Sequence, residues 1–408
     1  MTSKALVPVA VVSVLCASCG GGTAKQPPGC AVVDPPATVE PNTVGLIVDS
    51  GPQCVGYING LFASVTICVP GTTTCQIIDH LLVDTGSFGV RVLESELHLA
   101  LPAVTNASGQ GLAECVQFVD GAAWGPVALA DVTVGHELAQ NLAIQLIGEA
   151  SYTMPYDCTG TPITDLQTLG CNGILGIGPR LQDCGAACAS ASRSNLYYAC
   201  SSAQACAMAA VPVAQQVSNP VGAFPVDNNG TIIQLGAIGA NGATSVSGVL
   251  TFGIGTQTNN GLGSATVLAI DRTDYFSTTF PVGGTPYTSV LDTGSNGMFF
   301  LNTALTHLQM CTSKGLSAWY CPDSTTSLGA TLSSLSGAST TIVFNVGNAS
   351  RVSASAAAFD MAGPMPDFSN TEGSLGFIWG LPFFYGRAVY TAIEGQATPA
   401  GPGPYFAF

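Results

Sequence analysis

The sequence predicts a mostly β protein built as two homologous lobes. Three observations carry that prediction. First, the stretch Leu82-Val83-Asp84-Thr85-Gly86-Ser87 returns as Val290-Leu291-Asp292-Thr293-Gly294-Ser295. Second, an apolar-apolar-glycine mark follows each copy at similar spacing: Gly176 stands 92 positions after Asp84, and Gly380 stands 88 after Asp292. Third, much of the chain consists of short β-branched and apolar runs separated by Pro-Gly, Asp-Gly and Asn-Gly turn signals. A single Asp-Thr-Gly arises easily by chance. Two, each closing an apolar run and each followed by serine, point to a duplicated unit whose halves supply one aspartate apiece.

Composition bounds the function. A chain of 408 residues is long enough for two lobes, each with its own core. Apolar residues make up 47% and charged residues only 8%, so solubility must rest on Ser, Thr, Asn, Gln and Gly. The mean hydropathy of +0.41 is high for a soluble protein and suits an exported all-β chain better than a cytosolic one. The net charge is −15 with nine Lys and Arg, and no basic cluster exists to neutralise phosphates. Nucleic-acid binding is thereby excluded. Acidic composition is compatible with function at low pH without demanding it.

The paired motifs resemble those of the pepsin-like bilobal aspartic peptidases. Residues 172–178 (NGILGIG) are similar to the strand that threads beside that family's first Asp-Thr-Gly loop. Residues 378–394 (IWGLPFFYGRAVYTAIE) are similar to its last stretch, where the second such strand leads into a short helix and a closing strand. Residues 248–253 (GVLTFG) resemble the strand near the end of the first lobe. The likeness covers roughly residues 49–408. It implies a bilobal pepsin-like (acid protease) fold with a central cleft. It also implies that Thr85 and Thr293 brace the opposite loop, and that Ser87 and Ser295 orient the carboxylates of Asp84 and Asp292. The chain further resembles uncharacterised Gram-negative bacterial lipoproteins with paired DTGS motifs, which implies a location rather than a reaction.

In chain order, residues 1–19 read as a targeting segment, with Lys4 at its start and an apolar run over residues 5–17 too short to span a bilayer. Cys16-Ala17-Ser18-Cys19 followed by three glycines resembles a bacterial lipoprotein signal, with Cys19 as the lipidated residue. Cys16 departs from the aliphatic residue usual there, and an ordinary secretory signal is the alternative. Either way the mature chain leaves the cytoplasm, and with a lipid it reaches the cell envelope as an outer-membrane-anchored lipoprotein. Residues 20–48, with Pro27-Pro28 and Pro35-Pro36, read as a flexible linker. Residues 49–262 form the N-terminal lobe and 263–408 the C-terminal lobe.

Within the first lobe, strands are expected over residues 62–69 and 77–83, with Cys68 and Cys75 bracketing the Pro70-Gly71 turn. His80 in this run is expected to be structural. Residues 116–134 read as a hairpin with Asp120-Gly121 at its turn. By the resemblance this hairpin is a flap over the cleft. The family's flap tyrosine and its tryptophan partner are replaced here by Asp120 and Arg91, and the expectation is a compensating Asp120–Arg91 ion pair rather than two surface charges. Trp124 is the nearby aromatic that can cover the cleft instead. Residues 184–206, with Cys184, Cys188, Cys200 and Cys206, read as an inserted loop stapled by disulfides. Zinc-ribbon spacing and histidine are both missing there. Cys311 and Cys321 are expected to close a loop in the second lobe. Removing Cys16 and Cys19 from the 15 cysteines leaves 13, so one thiol stays unpaired or the lipid assignment fails. So many cysteines in an exported chain imply an oxidising compartment.

The chemistry follows from the paired carboxylates. Amide hydrolysis needs an activated water and a proton for the carbonyl oxygen or leaving nitrogen, and two carboxyls sharing one proton supply both. Asp84 and Asp292 are the candidates and must be described as one coupled dyad. Gly86 and Gly294 let each loop turn tightly and let the lobes approach. Four histidines scattered at 80, 98, 136 and 307, with no His-Glu-x-x-His, Walker loop or nucleophile elbow, argue against metal-dependent or serine chemistry. The expectation is an exported, monomeric aspartic endopeptidase acting on polypeptide, with no cofactor or metal. The alternative is a noncatalytic cell-envelope module that binds a polypeptide or polymer in the same cleft.

Overall fold

The computed structural model describes residues 35–38, 40–118, 121–190, 195–270, 274–281, 284–334, 336–365 and 375–408. The signal segment 1–19 with Cys19, the first part of the expected linker, and Asp120 lie outside these residues. Among the described residues the chain is mostly β, with helices of no more than five residues.

The duplication read from the motifs is visible in the strand order. In the first half, Gly173–Ile177 lies between Cys75–Asp84, to which it runs parallel, and Phe88–Leu93, to which it runs antiparallel. In the second half, Leu375–Trp379 lies between Pro286–Leu291 and Met298–Phe300 with the same two senses. Each threading strand therefore passes between the two arms of a DTGS loop. A strand paired on both edges and covered on both faces must be apolar throughout. Gly173–Ile177 is buried at all five positions, and Leu375–Trp379 at all but its first.

The strands of the first half belong to one continuous sheet. It runs from Tyr197–Ser202 through the hairpin Gly111–Gln117 and Ala122–Val134 to the first motif, and on to Gly60–Cys68, Thr43–Asp49, Val246–Phe252 and Gly230–Leu235. The last strands of the chain, Ala388–Ala392 and Tyr405–Ala407, return to this sheet and extend it beyond Gly230–Leu235. A seven-stranded sheet carries the second motif. Its core is aromatic: Phe300 stacks on Phe377 at 5.5 Å, Phe377 on Trp379 at 5.3 Å, and Phe344 meets Trp379 edge-on at 5.0 Å. The buried Trp379 indole is satisfied by donating to Thr278 Oγ1 at 3.1 Å.

Two expectations are corrected here. The linker does not extend to residue 48, because Thr43–Asp49 is a strand paired with both Val246–Phe252 and Gly60–Cys68. Its Val-Gly-Leu-Ile-Val run is buried almost throughout, and burial of that apolar run outweighs the Pro-rich approach to it. The insertion 184–206 is not simply a loop. Tyr197–Ser202 and Ala205–Met208 pair with each other, and the former adds to the edge of Gly111–Gln117.

Disulfides join Cys68–Cys75, Cys184–Cys188, Cys200–Cys206, Cys311–Cys321 and Cys115–Cys158. Cys54 is also disulfide-bonded, and Cys171 is a buried thiol. These bonds mark an exported protein, formed in an oxidising compartment. Among the described residues no helix is long and apolar enough to cross a membrane.

His80 has the structural role expected of it. It sits on the first motif strand with Nε2 3.1 Å from Asp49 and Nδ1 3.3 Å from Asp79. Burial alone would push its pKa down, but hydrogen bonds to the two carboxylates, with their charge, raise it to about 9. The folded value lies above the unfolded one. The stabilisation is therefore complete below about pH 6.5 and is lost as pH rises through 9. Thermal unfolding followed from pH 6 to 9.5 is expected to show a falling midpoint in the wild type and a flatter profile in His80→Gln. Identical slopes would contradict the assignment.

Candidate active site

The two DTGS loops meet at the centre of the molecule. The first motif strand ends at Asp84 and the second one residue before Asp292, and both aspartates are completely buried. The Asp292 amide donates to the Trp379 carbonyl at 3.0 Å, and Leu381 N donates to Ser295 O at 2.8 Å, so the second threading strand clasps its loop on both arms. In the first half Gly178 N donates to Ser87 O at 2.9 Å.

The loops are bound to each other by a reciprocal set of hydrogen bonds. Thr85 Oγ1 donates to Leu291 O at 3.1 Å and accepts from Thr293 N at 3.0 Å. Thr293 Oγ1 donates to Val83 O at 2.7 Å and accepts from Thr85 N at 3.1 Å. All four backbone groups are buried. Without the hydroxyls they would lose these partners away from water.

Each carboxylate is held the same way by its own loop. Asp84 Oδ1 accepts from Gly86 N at 2.7 Å and Oδ2 from Ser87 Oγ at 2.5 Å. Asp292 Oδ1 accepts from Gly294 N at 2.9 Å and Oδ2 from Ser295 Oγ at 2.6 Å. The inner oxygens face across the loops. A Cβ on Gly86 would fall 2.5 Å from Asp292 Oδ1, and one on Gly294 would fall 2.6 Å from Asp84 Oδ1. Glycine is thus required at both positions by the approach of the opposite carboxyl. Burial pushes the Asp292 pKa well above the usual carboxylate range. The charge of Asp84 and a hydrogen bond shared with it push the same way, against the Ser295 and Gly294 donors. Asp292 is thereby biased toward its protonated form.

The predicted flap residues are placed differently from expectation. The hairpin itself is present, with Gln117 opposite Ala122 and Phe118 N donating to Gly121 O at 2.7 Å. Arg91 is not a surface charge. It is 1% exposed, and its Nη2 meets Glu114 Oε1 at 2.9 Å and Asp183 Oδ2 at 3.1 Å. Asp120, its expected partner, lies outside the described residues, and among those described Arg91 pairs with these two carboxylates. Trp124 does not stand free to cover a cleft. It is buried, donates from Nε1 to Tyr152 O at 3.2 Å, and meets the Tyr198 ring edge-on at 5.2 Å. Among the described residues no group of three or more His, Cys, Asp or Glu side chains gathers as a metal site.

Sequence reasoning missed Asn59, which pins the lobes behind the second loop. Its Nδ2 donates to Asn296 O at 2.7 Å and Phe359 O at 2.9 Å, and its Oδ1 accepts from Phe359 N and Tyr385 OH, each at 2.8 Å. The Asn59-Gly60 turn pair was the available signal, and Asn59 does adopt a left-handed φ of 58°. Its partners leave no mark near it in the chain.

Residues 38–408 match the family described as Protein of unknown function (DUF3443), and the chain belongs to that family. No curated protein matches it. Among solved structures it is similar to the aspartic proteinase from Irpex lacteus, with a TM-score of 0.53 and 14% identity over 90% of this chain and 96% of that one. The fold is therefore the bilobal, mostly β fold of the pepsin-like aspartic proteinases.

The brace between the loops can be tested without an assay. Thr85→Ala and Thr293→Ala each leave a buried carbonyl and amide without a partner, so each is expected to cost about 1–3 kcal/mol in denaturant unfolding. The double variant is expected to cost less than the sum, because the four bonds act as one unit. Serine at either position should restore most of the loss. Full additivity with no rescue would contradict the reciprocal brace.

Proposed function

We propose that this member of the DUF3443 family is an exported aspartic endopeptidase in which Asp84 and Asp292 activate a water to hydrolyse a peptide bond. One observation carries the reading. Two buried carboxyls face each other across glycines that admit no side chain, each oriented by its own serine and amide, and Asp292 is biased toward its protonated form. A purely structural core has no use for this arrangement. Two acids buried together are costly, and an apolar pair would fill the same space more stably.

The reaction the pair supports is balanced. The ionised carboxyl takes a proton from water as the water oxygen bonds to the scissile carbonyl carbon. The protonated carboxyl gives its proton to the carbonyl oxygen, which yields a neutral gem-diol and leaves one proton on the pair. Collapse reverses the roles. The leaving nitrogen takes the proton, the C–N bond breaks, and a gem-diol hydroxyl returns its proton to the other carboxylate. Ser87 and Ser295 keep the outer oxygens engaged, so the inner oxygens face the water.

The test is proteolysis of a mixed peptide library by the purified mature chain across pH 3–8, beside Asp84→Asn and Asp292→Asn. Cleavage is expected in a bell-shaped profile, because the pair must hold one proton and neither zero nor two. Either substitution should abolish it. No cleavage at any pH by folded, oxidised protein would overturn the peptidase reading and favour the noncatalytic binding module.

We further propose that the chain is anchored by a lipid on Cys19, a reading supported by the short apolar leader and the Ala17-Ser18-Cys19 stretch before a glycine tether. Expressed in a Gram-negative host, the wild type is expected to take up labelled fatty acid and to fractionate with membranes, whereas Cys19→Ala is expected to do neither. An unlabelled, soluble wild type would instead establish simple secretion.

A further inference from the structure

Arg91 stands on the strand that leaves the first DTGS loop, and its surroundings go beyond what stability needs. Its Nη1 donates to Phe88 O, one residue past Ser87. Its Nη2 bridges Glu114 of the hairpin strand Gly111–Gln117 and Asp183 of the segment that follows Gly173–Ile177. Asp183 in turn accepts from Tyr197 OH at 2.8 and 2.9 Å, and Tyr197 OH accepts from Val217 N at 2.7 Å. Gln145, opposite Arg91 in register, donates to Glu114 O at 2.8 Å and Ala123 O at 3.2 Å, one carbonyl on each strand of the hairpin. The opposite face of the hairpin is fastened too, by the Cys115–Cys158 disulfide and by Trp124 packed on Tyr198.

A buried ion cluster is a poor stability element, since apolar residues of the same volume do as well or better. What a guanidinium adds is direction: a planar, rigid fork that fixes several acceptors at set angles. Here the fork joins a catalytic-loop carbonyl, the base of the hairpin and the start of the insertion. We propose that Arg91 is a positioning residue which, through Glu114 and Asp183, sets the hairpin strands Gly111–Gln117 and Ala122–Val134 against the first catalytic loop and so determines how tightly the site holds a polypeptide. This rests on the peptidase reading above. Burial, and then the charge of Glu114, raise the Asp183 pKa well above the ordinary range. The hairpin base is held by a buried cluster rather than by an exposed salt bridge that salt could screen.

The test pairs steady-state kinetics with amide hydrogen exchange in Arg91→Met, Arg91→Lys and Glu114→Gln. In Arg91→Met and Glu114→Gln, KM is expected to rise roughly tenfold with kcat within about threefold, the signature of lost binding rather than lost chemistry. Arg91→Lys should recover part of the KM, since it keeps the charge without the fork. Exchange in 111–117 and 122–134 should quicken in Arg91→Met while 75–84 and 173–177 keep their protection. A folded Arg91→Met with wild-type KM and wild-type hairpin exchange would overturn the proposal, as would a fall in kcat at constant KM. Should Arg91→Met fail to fold, the near-isosteric Glu114→Gln decides by the same readouts. If the wild type cleaves nothing, the peptidase reading fails on its own, and the exchange comparison still decides whether Arg91 fixes the hairpin.

Discussion

Two carboxyls buried side by side are the constraint on which the rest of this structure depends. Left alone, each would be driven apart from the other or out to solvent. They stay because the polar groups of the two loops hold them and each other. The threonine hydroxyls cross between loops, the glycine amides and serine hydroxyls hold the carboxylate oxygens, and the threading strands fix both loops from behind. The brace is also reciprocal, so neither loop can shift without breaking the other's bonds. That explains why the two lobes can differ widely elsewhere while their centres remain alike.

They do differ. Around the second loop the packing is aromatic, with Phe300, Phe344, Phe377 and Trp379 in mutual contact. Around the first it is ionic, with Arg91 between Glu114 and Asp183. The first lobe also carries the hairpin and the stapled insertion, and these share an edge of one sheet. Rings set distance and exclude water, whereas forked hydrogen bonds set angle. The half that carries the hairpin and the insertion therefore uses the directional interaction.

How much of this was legible follows the range of each interaction. The motif loops, the threading strands and the hairpin were readable because their signals are local: an apolar run, a carboxylate, a glycine, a turn pair. Asn59 was not, because its value lies in Asn296 and Phe359, 237 and 300 positions away. The Arg91 partners were missed for the same reason, although one charged residue in an apolar strand already implied burial with a counter-charge. Cys68–Cys75 and Cys311–Cys321 could be read from proximity, while Cys115–Cys158 could not. The strand Thr43–Asp49 is masked in the sequence by the proline-rich stretch before it, although its five-residue Val-Gly-Leu-Ile-Val run is local.

The scarcity of charge gives these placements their meaning. With charged residues at 8% of the chain, the surface is carried by uncharged polar groups. Several ionisable groups are instead turned inward, and burial shifts many of the acids among them the same way. Asp183 and Asp292 lie well above the usual carboxylate range, Asp360 is raised to about 6, and Glu137 is raised as well. Asp79, hydrogen-bonded to His80, moves the other way. A carboxyl whose folded pKa exceeds its unfolded one favours the native state while it is protonated and opposes it as pH climbs through the folded value. The balance of these shifts therefore makes folding a proton-binding event between the unfolded and folded carboxyl values. The raised Asp292 belongs to the same set, so the one-proton dyad proposed above would draw on the shift that the scaffold already imposes.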